Sequence, residues 1–427
     1  MSSAFQIDEE PVYDADRLQE ELIKYISRIA GKSLGLENYE VGCMLNTPQG
    51  GGRQLAGVFV HLLPEVHYDI FTKNSESLMS VIGTIALQHL FEVISDNLEE
   101  YGELTDEVLQ IFIRAIDNAD TLEEDDIWKD INALPNVARI KAAIEATPIG
   151  KGFNLLLQNS DVSEFDNQPK MPNKADPLFL LFMNVRVTQN AILELRRLSL
   201  EPNNNSQLAY KLAEMAHQGL RARYTSQLST AKKDLENRAE GILTDYTYAA
   251  FFLGLLLEEG DNSELAKVSF GELERCIKLA SCAIRLTNDL GAFSIKPEDK
   301  HNILSYLKGY QLPEEGEVNS KLLDFFNNLR AENIVNSSSL TSLLKDLMKN
   351  EPNILLDEFR KKQDFKVADL SNLVTRATEY QTLFLKYISL IYSSELPTSI
   401  KVSLVSFIYY CYSLYASGRD FDEFSVY

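Results

Sequence analysis

The chain is poor in the residues that most often carry chemistry alone. Four cysteines (Cys43, Cys276, Cys282, Cys411) and five histidines (His61, His67, His89, His217, His301) are spread over 427 residues. None forms a CxxC pair, a His-x-x-x-His or a Cys/His ligand spacing, so zinc and thiol-redox motifs have no basis here. Cys276 and Cys282 stand six apart on one predicted helix, a poor geometry for a disulfide, and all four cysteines are expected to be reduced and packed. Neither Gly-x-Ser-x-Gly nor Gly-x-Gly-x-x-Gly occurs. Positive charge is also scarce: 41 Lys and Arg face 63 Asp and Glu, a formal charge of −22. That argues against nucleic acid as a partner and against docking on an anionic membrane surface. No stretch offers about twenty unbroken apolar residues; residues 399–415 come nearest and read as a buried, aromatic-rich helix. The first ten residues carry neither a basic region nor an apolar run, so no signal peptide is expected. The chain is therefore expected to be soluble and cytoplasmic, without stable membrane insertion.

What the chain does have is helical periodicity. Leu18, Leu22, Ile26 and Ile29 follow Asp14 or Asp16 as N-cap and predict a helix to about Leu34. Helices are also predicted over 55–63, 77–101, 109–116, 177–200, 207–230, 245–258, 266–292, 321–330, 340–348, 369–394 and 400–415. β-Alternation, repeats and low-complexity tracts are lacking. The expected fold is all-α: an N-terminal segment (1–54) with one helix, then one helical domain (55–427) with an irregular insertion at about 117–176.

Two polar breaks interrupt apolar helices. The predicted 77–101 helix is apolar nearly all round (Leu78, Val81, Ile82, Ile85, Leu90, Phe91, Ile94), as a central helix should be. It runs into Ser95-Asp96-Asn97-Leu98-Glu99-Glu100, and Gly102 reads as its stop. Asp96 and Glu100, four apart, project from one face, where paired carboxylates can hold Mg²⁺. Acids at a helix C-terminus oppose the helix dipole. The second break ends the stripe Leu273, Ile277, Ala280, Ile284 with Asn288-Asp289, and Arg285 stands one turn earlier. It reads either as a site for a phosphate group or as a plain helix stop at Gly291. A third acidic run, Glu123 to Asp130, follows no apolar helix and reads as a solvated face.

Arg285-Leu-Thr-Asn288-Asp289-Leu, followed by Lys300-His-Asn302-Ile-Leu304, resembles the second metal motif of class I terpene synthases. The 95–105 stretch resembles the family's Asp-rich motif in two registers: Asp96/Asn97/Glu100, or Ser95/Asp96/Glu99. The first keeps the i, i+4 carboxylate pair. The resemblance spans about residues 55–310 and implies a helical bundle around a central cavity. It further implies that a linear prenyl diphosphate, C15 or C20, is ionised with Mg²⁺ to a terpene hydrocarbon or alcohol, and it leaves a homodimer open. Asp96, Glu99, Glu100 and Asn288 would bind metal, and Arg285 and Lys300 would act on the diphosphate. Asp289, Tyr246 and Lys296 would contact substrate. Departures are plain: Ala292 and Lys296 stand where the family has Ser/Thr and Glu. The Leu243–Tyr248 stretch resembles the family's diphosphate-sensing region, but small residues replace its arginine, with Arg238 close by. An alternative is a related fold that has lost ionisation and serves as a binding or partner subunit.

Overall fold

Asp14 starts the first helix, accepting the Arg17 amide on its carboxylate at 3.1 Å. The computed structural model of the chain describes residues 14–34, 52–63, 76–147, 176–200, 207–228, 234–260, 263–291, 297–335 and 340–416, with positions 41, 45, 150, 151 and 295 between them. Ala15–Leu34 (α1) and Gly52–Leu62 (α2) pack together, and α1 also lies on Glu76–Glu100 (α3). Leu78, Val81, Ile82, Ile85, Phe91 and Ile94 of α3 are fully buried. Gly102 (φ +68°) turns the chain after α3, a conformation that glycine adopts without a Cβ penalty. Asp106–Asp117 (α4) follows.

The stretch expected to be an irregular insertion holds two helices, Glu124–Asn132 (α5) and Val137–Ala146 (α6). Ile127 and Ile131 bury against α4 and Leu178–Ser199 (α7), and Ile140 and Ile144 pack toward α3. One isoleucine per turn makes a stripe narrow enough to be masked by the surrounding acids.

The remaining helices are Gln207–Thr225 (α8), Leu235–Glu240 (α9), Thr244–Glu259 (α10), Phe270–Leu290 (α11), Pro297–Leu307 (α12), Val318–Ala331 (α13), Thr341–Lys349 (α14), Asp357–Arg360 (α15), Val367–Tyr392 (α16) and Thr398–Ala416 (α17). No strand occurs among the described residues, so the all-α expectation holds. α10 forms the axis: every residue from Thr244 to Leu256 is buried, and α3, α8 and α11 pack around it. Gly219 lets α8 approach α10 closely; a Cβ there would lie 2.7 Å from the Tyr246 nitrogen. α16 and α17 close the bundle against α11.

Two helical segments, Ser77–Glu100 and Leu178–Ser199, are long and apolar enough to cross a membrane, with 67% and 78% of those windows buried inside the fold. They differ from the 399–415 segment singled out in the sequence. The centre of a large bundle demands the same length and all-round apolarity as a bilayer. Cys276, Cys282 and Cys411 are free and buried, and Cys43 lies outside the described residues.

At the second polar break the structure shows the helix stop at Gly291 that was one of its two readings. α11 ends at Leu290, and Gly291 (φ 52°, ψ 53°) caps it in the left-handed region with its amide on the Thr287 carbonyl. α12 then begins at Pro297, a residue suited to the first helical position. Ala292, Phe293, Ser294 and Lys296 lie outside the described residues.

Candidate functional site

Glu92, Asp96 and Glu99 recur at spacings of four and three along α3 and so share one face. That face meets α8, where Arg223 continues the buried stripe of Leu208, Leu212, Met215, Ala216 and Leu220. Its guanidinium reaches all three acids: Nε to Glu92 at 2.7 Å, one terminal nitrogen to Asp96 at 2.5 Å, and Glu99 at 3.4 Å. Burial works against the Arg223 charge, but the three carboxylates hold its pKa well above the usual guanidinium value. Burial pushes Glu92 upward, opposed by Arg223 and by the Tyr224 hydroxyl, which donates to Glu92 at 2.8 Å. Compensation for acids placed against the α3 dipole thus comes from a neighbouring helix. Glu100, at the tip of α3, takes its partner from α14: the Lys349 ammonium.

These groups open onto a cleft of ≈ 370 Å³. Its α3 wall carries Glu92, Asp96, Glu99 and Glu100; its α11 wall carries Ile284, Arg285 and Asn288; α14 adds Lys345 and Lys349. Arg238 also lines it and pairs with Asp357 at 2.5 Å. Leu90, Val93, Ile242, Leu243 and Phe407 make the apolar part. His89 lies there too, its Nε2 at 2.8 Å from the Thr247 hydroxyl. That hydroxyl donates its own proton to the Leu243 carbonyl, so Nε2 of His89 carries the hydrogen. Burial lowers the His89 pKa to about 4 and keeps the ring neutral near pH 7.

The two polar breaks therefore converge: Asp96, Glu99, Glu100, Arg285 and Asn288 line one cleft. Other expected site residues do not join them. Asp289 is 1% exposed and works as a strut. Its carboxylate accepts the Ile354 amide at 2.9 Å and pairs with Arg285 at 2.7 Å, while its carbonyl accepts from Asn353 at 2.5 Å. Burial raises the Asp289 pKa, and Arg285 pulls it back. The reason is rotational: Asn288 and Asp289 lie about 100° apart on a helix, so only one can face the cleft. Tyr246 is fully buried on the axial helix and does not line the cleft. Lys300 stands half-buried on α12, which packs on α16, and is likewise absent from the lining.

Most of the large aromatic side chains serve the core. Phe91, Phe112, Phe182, Tyr246, Tyr248, Phe251 and Phe252 are fully buried, and Phe112 stacks on Tyr224 at 4.3 Å. Among the described residues, Phe407 and Tyr415 of α17 line the cleft beside the His89 imidazole. The 123–130 acids behave as a solvated face, with Glu124 meeting Arg186 at 2.5 Å and Asp130 meeting Arg114.

The donor set does not fit the Mg²⁺ cluster that the resemblance implies. Among the described residues no group of three or more His, Cys, Asp or Glu side chains converges as a cation site. Asp96 and Glu99 are bound by Arg223, Glu100 by Lys349, and among the described residues α11 adds one neutral oxygen ligand to the lining, Asn288.

Arg223, Glu92, Lys345 and Lys349 are the site residues that sequence reasoning missed. Arg223 had a signal, a charge at a core position of α8. Glu92 had one too, an acid inside an otherwise apolar run four residues before Asp96. α14 had none, since only the tertiary fold brings it over the cleft. No protein-family profile, curated protein or solved structure matches this chain.

Proposed function

We propose that the cleft binds a linear prenyl diphosphate, C15 or C20, and promotes its ionisation to a terpene hydrocarbon or alcohol, as class I terpene synthases do. The observation that supports this most is the meeting of the two polar breaks, 96–100 and 285–288, across one cleft with an apolar interior. In this reading the diphosphate lies at the charged mouth, among Arg285, Asn288, Lys345 and Lys349. Fixed cations there favour the charge that develops on the leaving group. Leu90, Val93, Ile284 and Phe407 surround the hydrocarbon chain and keep water from the carbocation.

The test is incubation of the purified protein with C10, C15, C20 and C25 prenyl diphosphates, in Mg²⁺ and in EDTA, with products read by mass spectrometry. Asp96→Ala and Asn288→Ala run alongside. A terpene product from the C15 or C20 substrate, lost or altered in both variants, is expected. Absence of turnover with every chain length refutes the reading.

One specific arrangement favours a second reading, a binding or partner subunit without turnover. Arg223 already neutralises Asp96 and Glu99, and α11 stops at Gly291. Saturable binding of an unreacted prenyl diphosphate would be its signature.

A further inference from the structure

We propose that this cleft holds a diphosphate through the ammonium groups of Lys345 and Lys349 themselves, with no divalent cation between protein and ligand. The inference rests on the reading of the cleft as a prenyl diphosphate site and departs from what the resemblance implies about metal.

Three observations carry it. First, the acidic wall is closed to a metal. Arg223 is 5% exposed at its side chain and bridges Glu92, Asp96 and Glu99, so a cation taking those carboxylates would strand a buried guanidinium. Second, among the described residues of the opposing motif Asn288 is the single neutral ligand on the cleft, because Asp289 is spent on Arg285 and the Ile354 amide. Third, α14 presents a basic wall. Lys345 and Lys349 are four apart, leave the helix on one face and both line the cleft. They bracket the Glu351 carboxylate at 3.6 and 4.0 Å. Those separations exceed the roughly 2.7–2.9 Å of a charge-assisted hydrogen bond. A carboxylate held that loosely between two ammonium groups marks where a more highly charged anion fits better. The Glu351 backbone stays fixed, its amide on the Asp346 carbonyl at 2.9 Å and its carbonyl on Arg360, so the side chain alone has to turn away, and the ligand shares the Lys349 ammonium with Glu100. Asp346, beside Lys345, is buried and accepts from the Asn353 amide at 2.7 Å, and burial pushes its carboxyl well above the usual range.

The measurement is calorimetric titration of the full chain with inorganic pyrophosphate, once in EDTA and once in Mg²⁺. Lys345→Gln/Lys349→Gln, Glu351→Gln and the exposed control Lys308→Gln are titrated in parallel, with circular dichroism to confirm the fold. Binding in EDTA is expected, weakened about tenfold or more by the double substitution, as when a hydrogen bond to a charged group is lost. Removal of the competing carboxylate in Glu351→Gln should tighten it, and Lys308→Gln should leave it unchanged. Binding only with Mg²⁺, or equal affinity in the double variant, overturns the proposal. The prenyl diphosphate assay separates the two ideas. Pyrophosphate bound in EDTA without turnover leaves this proposal standing and sinks the synthase reading. Turnover that needs Mg²⁺ and survives both lysine substitutions does the reverse.

Discussion

Substitution of Arg223 by methionine keeps most of the volume and removes the charge. The side chains of Arg223 and Glu92 are 5% and 6% exposed, whereas Asp96 and Glu99 are 33% and 35% exposed. Water screens the two outer acids, so their loss of Arg223 contributes little. The inner pair dominates. At an effective dielectric of about 20, unit charges about 4 Å apart attract by roughly 4 kcal/mol. Breaking a buried pair from one side costs about 3–5 kcal/mol, because the remaining charge must be stripped of water or neutralised. Arg223→Met is therefore expected to lower unfolding free energy by about 3–5 kcal/mol in urea titrations followed by far-UV circular dichroism at pH 7. Adding Glu92→Leu removes the stranded acid, and the double variant should recover most of that loss. A single-variant cost below about 1 kcal/mol, or a double variant as unstable as the single, would refute the assignment of the pair as the dominant charge interaction.

His89 has a folded pKa of about 4 against an ordinary 6.5, so the unfolded chain binds more protons between those values. Stability present above pH 6.5 should fall as pH drops toward 4, by about 3 kcal/mol from this group, and His89→Gln should flatten that part of a stability–pH curve. Neighbouring residues should part company: Asp289→Ala is expected to cost about 3–5 kcal/mol by stranding Arg285 and the Ile354 amide, while Asn288→Ala stays within about 0.5 kcal/mol and changes ligand affinity instead. Thermal melts and pyrophosphate titrations on the pair check both halves. Gly291→Ala should cost about 1–2 kcal/mol, since its φ of 52° suits glycine, and a cost near zero would remove the cap argument.

Much of the fold was legible because a single period carried it. The α3 pattern predicted a helix buried on all sides, Asp14 announced the start of α1, and Gly102 announced a stop. The α5 and α6 helices were not legible, because a stripe of one isoleucine per turn disappears among acids. At the site, one-dimensional spacing found both polar breaks, Asp96 to Glu100 and Arg285 to Asn288. It could not assign Asp289 to the interior, since that depends on the neighbour at Ile354, sixty-five residues away. Nor could it find Lys345 and Lys349, whose α14 helix has an ordinary amphipathic pattern. The end of α11 was legible as a stop at Gly291, but spacing alone left a phosphate site open as the alternative.

The Arg223 bridge has a consequence for assembly as well as for charge. Packed helices can slip past one another by a turn, about 5.4 Å, with little change in apolar contact. Slipped one turn toward the start of α3, the guanidinium would leave Glu99 behind and meet Gln88, a neutral amide, in place of a carboxylate. The bridge therefore acts as an index pin that admits one axial phase of α8 against α3. Because Gly219 seats α8 on the backbone of Tyr246, the same pin also sets how far α10 stands along the bundle, and with it the depth at which Thr247 meets His89.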